Sequence, residues 1–305
     1  LQFVHSAGTR RHPDCFRKGL GQNARAYAQR GGQAMSQSTS RYWADFTSEA
    51  LSRLDRSRLI AVLPVAATEQ HGPHLPISTD SATIDAVVEA TIPKLPEALP
   101  VLFLPTSAYG KSNEHSRYPG TLTVSAATLI ALWMDIGASV AAAGVKKLVL
   151  FNSHGGQMSV MDIVARDLRE RHGLMVVAAN WYTLGLPAGM FDEREMKHGI
   201  HAGDLETSVM MAIRPGDVRP ENTRDFASLT ETMAQENKFL SITPSGKLGW
   251  QTQDLNPSGA AGNATLATAA KGRAVVDHVS SRFVELLHEV DRFDLARLAN
   301  DPAWR

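Results

Sequence analysis

Residues 59–67, 101–104, 147–151 and 174–179 are four short, almost uninterrupted apolar runs, and a stretch with helical spacing follows each of the first three. Short continuous apolar runs read as strands buried on both faces. Strands that alternate with helices leave few architectures open. Each helix returns the chain to the same end of the sheet, so the strands run parallel and the helices cover both faces. The expectation is an α/β chain: a three-layer α/β/α sandwich with a mostly parallel central sheet.

The punctuation agrees with that reading. A helix is expected over 81–92, closed by Pro93 and Pro96. Ser125 is placed to cap a second, and Gly144 to stop it. A third ends at His172, before Gly173. Further on, 205–213 reads as a short helix and 266–289 as a long one that covers the sheet. The rest of 183–262 is rich in Gly and Pro and is expected to be irregular, as lids, binding loops and subunit contacts are.

Charge sets the first residues apart. Residues 1–34 carry Arg10, Arg11, Arg17, Lys18, Arg25 and Arg30 against Asp14 alone, although the whole chain is formally neutral. The remainder is therefore mildly acidic and offers no electrostatic case for nucleic acid. We read residues 1–35 as a non-catalytic extension, disordered or lying upstream of a natural start at Met35, and residues 36–305 as one catalytic domain. No apolar run has the length of a membrane span. Cys15 is the only cysteine. An intrachain disulfide is impossible, a reducing cytoplasmic setting fits, and any metal must be held by nitrogen and oxygen.

In open parallel sheets, ligands bind beyond the carboxyl ends of the strands. The first three strands here each end in a loop that bears histidine. The first loop carries Glu69, His71 and Asp80, ligands that suit Zn, Mn or Fe. Glu69 and His71 are two apart and point to one side of an extended segment. The plain alternative is a solvated loop with Asp80 capping a helix. The second loop holds Glu114 and His115, which orient substrate or support a ligand, or else form a solvated pair. The third is Asn152-Ser153-His154-Gly155-Gly156, where glycines let the backbone approach a metal or substrate. A phosphate-cradling turn at a helix N-terminus is its alternative. A fourth cluster holds His198, His201, Asp204 and Glu206. The helix dipole accounts for acids in a first turn, but two histidines in a Gly-rich loop are not core packing.

Taken together, Glu69-Gln70-His71-Gly72-Pro73-His74-Leu75-Pro76 with Asp80, then Pro119-Gly120-Thr121, then Asn152-Ser153-His154-Gly155-Gly156, then His201-Ala202-Gly203-Asp204-Leu205-Glu206-Thr207-Ser208 resemble the creatininase (creatinine amidohydrolase) family, in the right order over about 59–280. The resemblance implies a two-metal amidohydrolase, usually a homohexamer. Glu69, His71, Asp80 and His154 match family ligand positions, with Asp80 bridging two divalent ions, zinc first and manganese or iron as alternatives. Creatininase has a ligand Glu two residues after the third-loop His; here that position is Gly156, and Glu206 is expected to supply the carboxylate.

The implied reaction is hydrolysis of a C–N bond in a small amide, cyclic ones included, by hydroxide activated between the ions. His201 would pass the proton to the leaving nitrogen, and Glu114 is the second catalytic expectation. His115, Gly155, Gly156, Trp181 and His198 are expected to contact substrate. Creatininase also has a tryptophan shortly before its mobile-loop His. This chain has Lys197 and His198 there, which argues against creatinine as substrate. The competing reading is a sugar or polyol lyase or isomerase using one metal on the same scaffold.

Overall fold

The computed structural model describes residues 40–242, 246–299 and 301–304. The expectations for residues 1–35, with Met35 and Cys15, lie outside the described residues. The chain runs α1 (Ser48–Ser52), β1 (Ile60–Val65), α2 (Thr79–Thr91), β2 (Val101–Phe103), α3 (Ala126–Ala142), β3 (Lys147–Asn152), α4 (Met158–His172) and β4 (Met175–Asn180). Then come α5 (Glu193–His198), α6 (Asp204–Ile213), β5 (Asp225–Phe226), α7 (Leu229–Glu236), α8 (Thr252–Leu255), β6 (Gly262–Asn263) and α9 (Ala269–Arg292).

The first four strands form one sheet in the order β2-β1-β3-β4, and every pairing in it is parallel. Strand side chains alternate between faces, and the two apolar clusters divide along that alternation. Ile60, Val62, Val101, Phe103, Val149 and Phe151 face Ile84 and Val87 of α2, Val209 of α6, and Val275, Val279 and Phe283 of α9. Ala61, Leu63, Leu102, Leu148 and Leu150 face Leu129 and Trp133 of α3 and Met161, Val164 and Leu168 of α4. The result is a three-layer α/β/α sandwich with a parallel centre. Phe151 and Phe283 stack with ring centroids 3.7 Å apart and are fully buried. Burial of each such side chain stabilises the fold by about 1.5–3 kcal/mol.

Local chemistry sets the helix ends. Ser125 accepts a hydrogen bond from the Thr128 amide at 3.1 Å, and Gly173 ends α4 with φ of +64°. α2 begins at Thr79, two residues before the expected start, so Asp80 lies in its first turn. The segment 183–262 holds more structure than one short helix: α5, α7, α8 and the antiparallel pair β5/β6 also lie there. Asp192 caps α5, and Ser228 with Glu231 forms a capping box on α7. α9 starts at Ala269, because Thr268 caps it.

The strand order matters for the site. After β1 the chain crosses to β2 on one side, then returns past β1 to β3 on the other. Connections that leave in opposite directions open a crevice at the strands' carboxyl ends. The loops after β1 and β3 meet there: the Ser153 amide donates to the Val65 carbonyl at 3.0 Å.

Candidate metal centre

Glu69, His71, Asp80 and His154 converge on that crevice, and each is at most 3% exposed. Glu69 and His71 come from the loop after β1, which turns at Gly72 with φ of +65°. His154 follows β3, its amide held by Asn152 Oδ1 at 3.0 Å. Glu206 enters from the first turn of α6, where its carboxylate accepts the Ala202 amide at 2.6 Å. Asp80 stands between two histidines. Its Oδ1 is 3.5 Å from His71 Nε2, and its Oδ2 is 3.5 Å from His154 Nδ1. Glu69 Oε2 is 3.2 Å from His154 Nδ1, and Glu206 Oε2 is 3.9 Å from His71 Nε2. Two groups that share Asp80 thus have spacing fit for cations: Glu69, Asp80 and His154, and His71, Asp80 and Glu206.

Hydrogen bonds set the tautomers. His71 Nδ1 donates to the Glu69 carbonyl at 3.0 Å, and His154 Nε2 donates to the Lys111 carbonyl at 3.0 Å. In each neutral ring the nitrogen that faces the carboxylates is therefore a lone pair. Glu69 Oε2, Asp80 Oδ2 and His71 Nε2 are also buried without a hydrogen-bond partner. Lone pairs crowded against buried carboxylates are costly unless a positive charge lies among them. Without a metal, protons take that place. Burial opposes charge on His71, but Asp80, Glu206 and Glu69 push it up to about 9. Burial opposes charge on His154 too, and Glu69, Glu114 and Asp80 raise it well above its ordinary range. The donor set fits a divalent cation bound by nitrogen and oxygen, with its histidines held through their far nitrogens as ligands usually are.

His201 and His115 border the same cluster, with ring centroids 4.4 Å apart. His201 Nε2 donates to the Gln70 carbonyl at 2.8 Å, leaving Nδ1 bare, 3.9 Å from Glu69 Oε1. Burial and the charge of His71 push His201 down to about 3, so the ring is neutral. Gln70 is a residue of the first loop to which sequence spacing gave no role. Its Oε1 accepts the Gly72 amide at 2.9 Å, which fixes the amide's orientation. Its Nε2 then donates to the Gly259 carbonyl at 2.9 Å and to His115 Nδ1 at 2.7 Å. The proton of His115 is therefore on Nε2, 3.4 Å from Glu69 Oε1.

Glu114 lies 3.5 Å from His154 Nε2, and its carboxylate fills the space into which a side chain at Gly156 would project. Gly155 sits by the Tyr182 hydroxyl. Two of the expected substrate contacts point elsewhere. Trp181 is 1% exposed within the apolar core on the α2, α6 and α9 side. His198 is hydrogen-bonded to Thr230 Oγ1 at 2.9 Å. Tyr182, beside Trp181, is a residue that spacing alone did not mark. Burial, with the charges of Glu206 and Asp80, pushes its phenol up to about 12.

The three-layer α/β/α fold gathers buried carboxylates and histidines beyond the strand ends, a donor set for a divalent cation. The Creatininase family model, described as creatinine amidohydrolase, matches residues 44–287. A mycofactocin precursor peptide peptidase of Mycobacterium tuberculosis is 32% identical over 254 residues, which is 80% of this chain and 92% of that one. A creatinine amidohydrolase of Pseudomonas putida is 31% identical over 195 residues, 59% of this chain and 74% of that one. Creatininase structures of zinc–zinc type and with manganese share the fold at a TM-score of 0.65 each, with 23% and 22% identity. Each covers 82% of this chain and 98% of the matched one. The chain belongs to the creatininase family and is a metal-dependent amidohydrolase that acts on C–N amide bonds.

Proposed function

We propose that the two groups sharing Asp80 hold two divalent ions, one among Glu69, Asp80 and His154 and the other among His71, Asp80 and Glu206. Zinc is the first expectation, with manganese or iron as alternatives. The observation that carries this reading is the pair of contacts of Asp80, one oxygen on each of two histidines. It favours two ions over the single-metal lyase or isomerase reading. Divalent ions at such a site polarise a carbonyl and make water nucleophilic at neutral pH.

The chain's own residues supply the rest. His201 is neutral, oriented by the Gln70 carbonyl, and presents Nδ1 to the cluster. A base so placed takes a proton from the attacking water and hands it to the leaving nitrogen. Gln70 and His115 orient Glu69, and Glu114 borders His154. The burial of the ligands keeps bulk water away, which strengthens every charge interaction inside.

The substrate we propose is a C–N amide, cyclic or within a peptide. The absence of a tryptophan shortly before His201 weighs against creatinine, and the Mycobacterium tuberculosis relative is named for a peptide. Cytoplasmic location and a homohexamer belong to the same reading; light scattering of the purified chain tests the assembly. Elemental analysis should find two divalent ions per chain, and a panel of cyclic amides and short peptides should show amine release. His201→Ala should keep both ions and lose turnover. One ion or none, or full turnover without His201, overturns the proposal.

A further inference from the structure

Glu195 is a carboxylate that the site does not use, yet it is only 6% exposed. It lies on α5, and its partners are backbone amides: Leu205 donates to Oε1 at 3.3 Å and Asn263 to Oε2 at 3.0 Å. Three glycines close around it. A β-carbon at Gly199 or Gly203 would overlap the Glu195 carboxylate, and one at Gly262 would crowd both the carboxylate and the other two glycines. The carboxylate therefore gathers the end of α5, the start of α6 and β6 at one point.

The two side chains the proposed mechanism takes from this region lie next to that point. His201 sits between Gly199 and Gly203, and its backbone exchanges hydrogen bonds with Ala261, at 3.2 Å from the His201 amide and 2.8 Å to its carbonyl. Ala202 has φ of +53° and is the one non-glycine in the left-handed region among the described residues. That conformation aims its amide at Glu206. Backbone in this region is strained and persists only where its surroundings over-determine it. Backbone amides on a buried carboxylate are strong, charge-assisted restraints of that kind.

We propose that Glu195 is a positioning residue that fixes the His201 loop and the first turn of α6, and so sets His201 and Glu206 for the reaction. The inference rests on the function proposed above, but its structural readout does not. Glu195→Gln keeps the volume and replaces one acceptor oxygen with a donor that meets a backbone amide. Hydrogen exchange should speed up over 199–206 and at Asn263, with the sheet unchanged. Turnover on the panel's substrate should fall about 100-fold, the scale of a misplacement of about 1 Å. The loss should fall on kcat with KM little changed, the split expected when groups that act in the transition state are misplaced. Glu195→Asp, which keeps the charge but falls short of the amides, should loosen the same segment and serves if the glutamine chain does not fold. Unchanged exchange over 199–206 in the folded variants overturns the proposal. So does unchanged kcat in a folded variant. Failure of the metal and turnover experiments alone would instead count against the function proposed above.

Discussion

The carboxylate of Glu114 occupies the space that a side chain on Gly156 would take. The two residues come from loops after different strands, β2 and β3. Glu114 Oε1 lies where the β-carbon of residue 156 would stand, so this chain leaves no room there for the Glu that creatininase carries. A β-carbon at 156 would also press on His154 Nε2. Gly156→Ala should therefore destabilise by about 1–3 kcal/mol, as overpacking does, and lower metal content. Removing Glu114 as well should return part of the loss. Urea unfolding of the two single variants and the double variant checks this, and purely additive effects would contradict it.

Glu206 approaches the group of His71 and Asp80 but not that of Glu69 and His154. Glu206→Ala should lower the metal content from two ions per chain towards one. The Ala202 amide also loses its acceptor, so some destabilisation, about 1–2 kcal/mol, is expected. Elemental analysis separates the two effects, because loosening alone would not remove one ion selectively. Full occupancy would remove Glu206 from the ligand set.

His74 is buried, bonded through Nε2 to Thr207 Oγ1 at 2.9 Å and stacked on Phe226. Burial and the neighbouring His71 push its pKa down to about 4. The unfolded chain takes up this proton near pH 6.5, whereas the folded chain does so only near 4. Between those values the unfolded state binds more protons, so the contribution is present above about pH 6.5 and is lost as pH falls towards 4. His74→Gln removes the titration. The stability difference between wild type and this variant, from urea midpoints at pH 7.5, 6 and 5, should shrink as pH falls. A constant difference would show that His74 does not titrate in that window.

The sheet was legible because its strands are short apolar runs and parallel strands are buried on both faces. Glu69, His71 and Asp80 were legible because they crowd ligand types into a loop at a strand end. Other parts were not. Trp181 directly follows a strand, but its neighbour Tyr182 reaches Gly155, and which of two adjacent residues turns inward depends on packing. Gln70 lies between two ligand candidates, where alternation would aim it away; only the turn at Gly72 brings its amide to His115. Glu195 had no local signal, since its partners lie 10 and 68 residues on. The capping box of Ser228 and Glu231 was readable but lay in a stretch dominated by Gly and Pro.

The chain from Gln70 through His115 to Glu69 makes the last prediction. Because Gln70 donates to His115 Nδ1, the proton on Nε2 faces Glu69 Oε1 and leaves Oε2 to the cluster. Asparagine mimics the Nδ1 end of histidine, and glutamine mimics the Nε2 end. His115→Asn keeps the partner of Gln70 but loses the donor towards Glu69; His115→Gln keeps that donor. Loss of a group that orients a metal ligand typically costs about 10–100-fold in affinity. Competition with a chelator should show that loss for His115→Asn and a smaller one for His115→Gln. Nitrogen-15 spectra of the zinc-loaded wild type should show the Nε2–H tautomer at His115. An Nδ1–H tautomer, or equal metal affinity for the two variants, would break the chain at its middle residue.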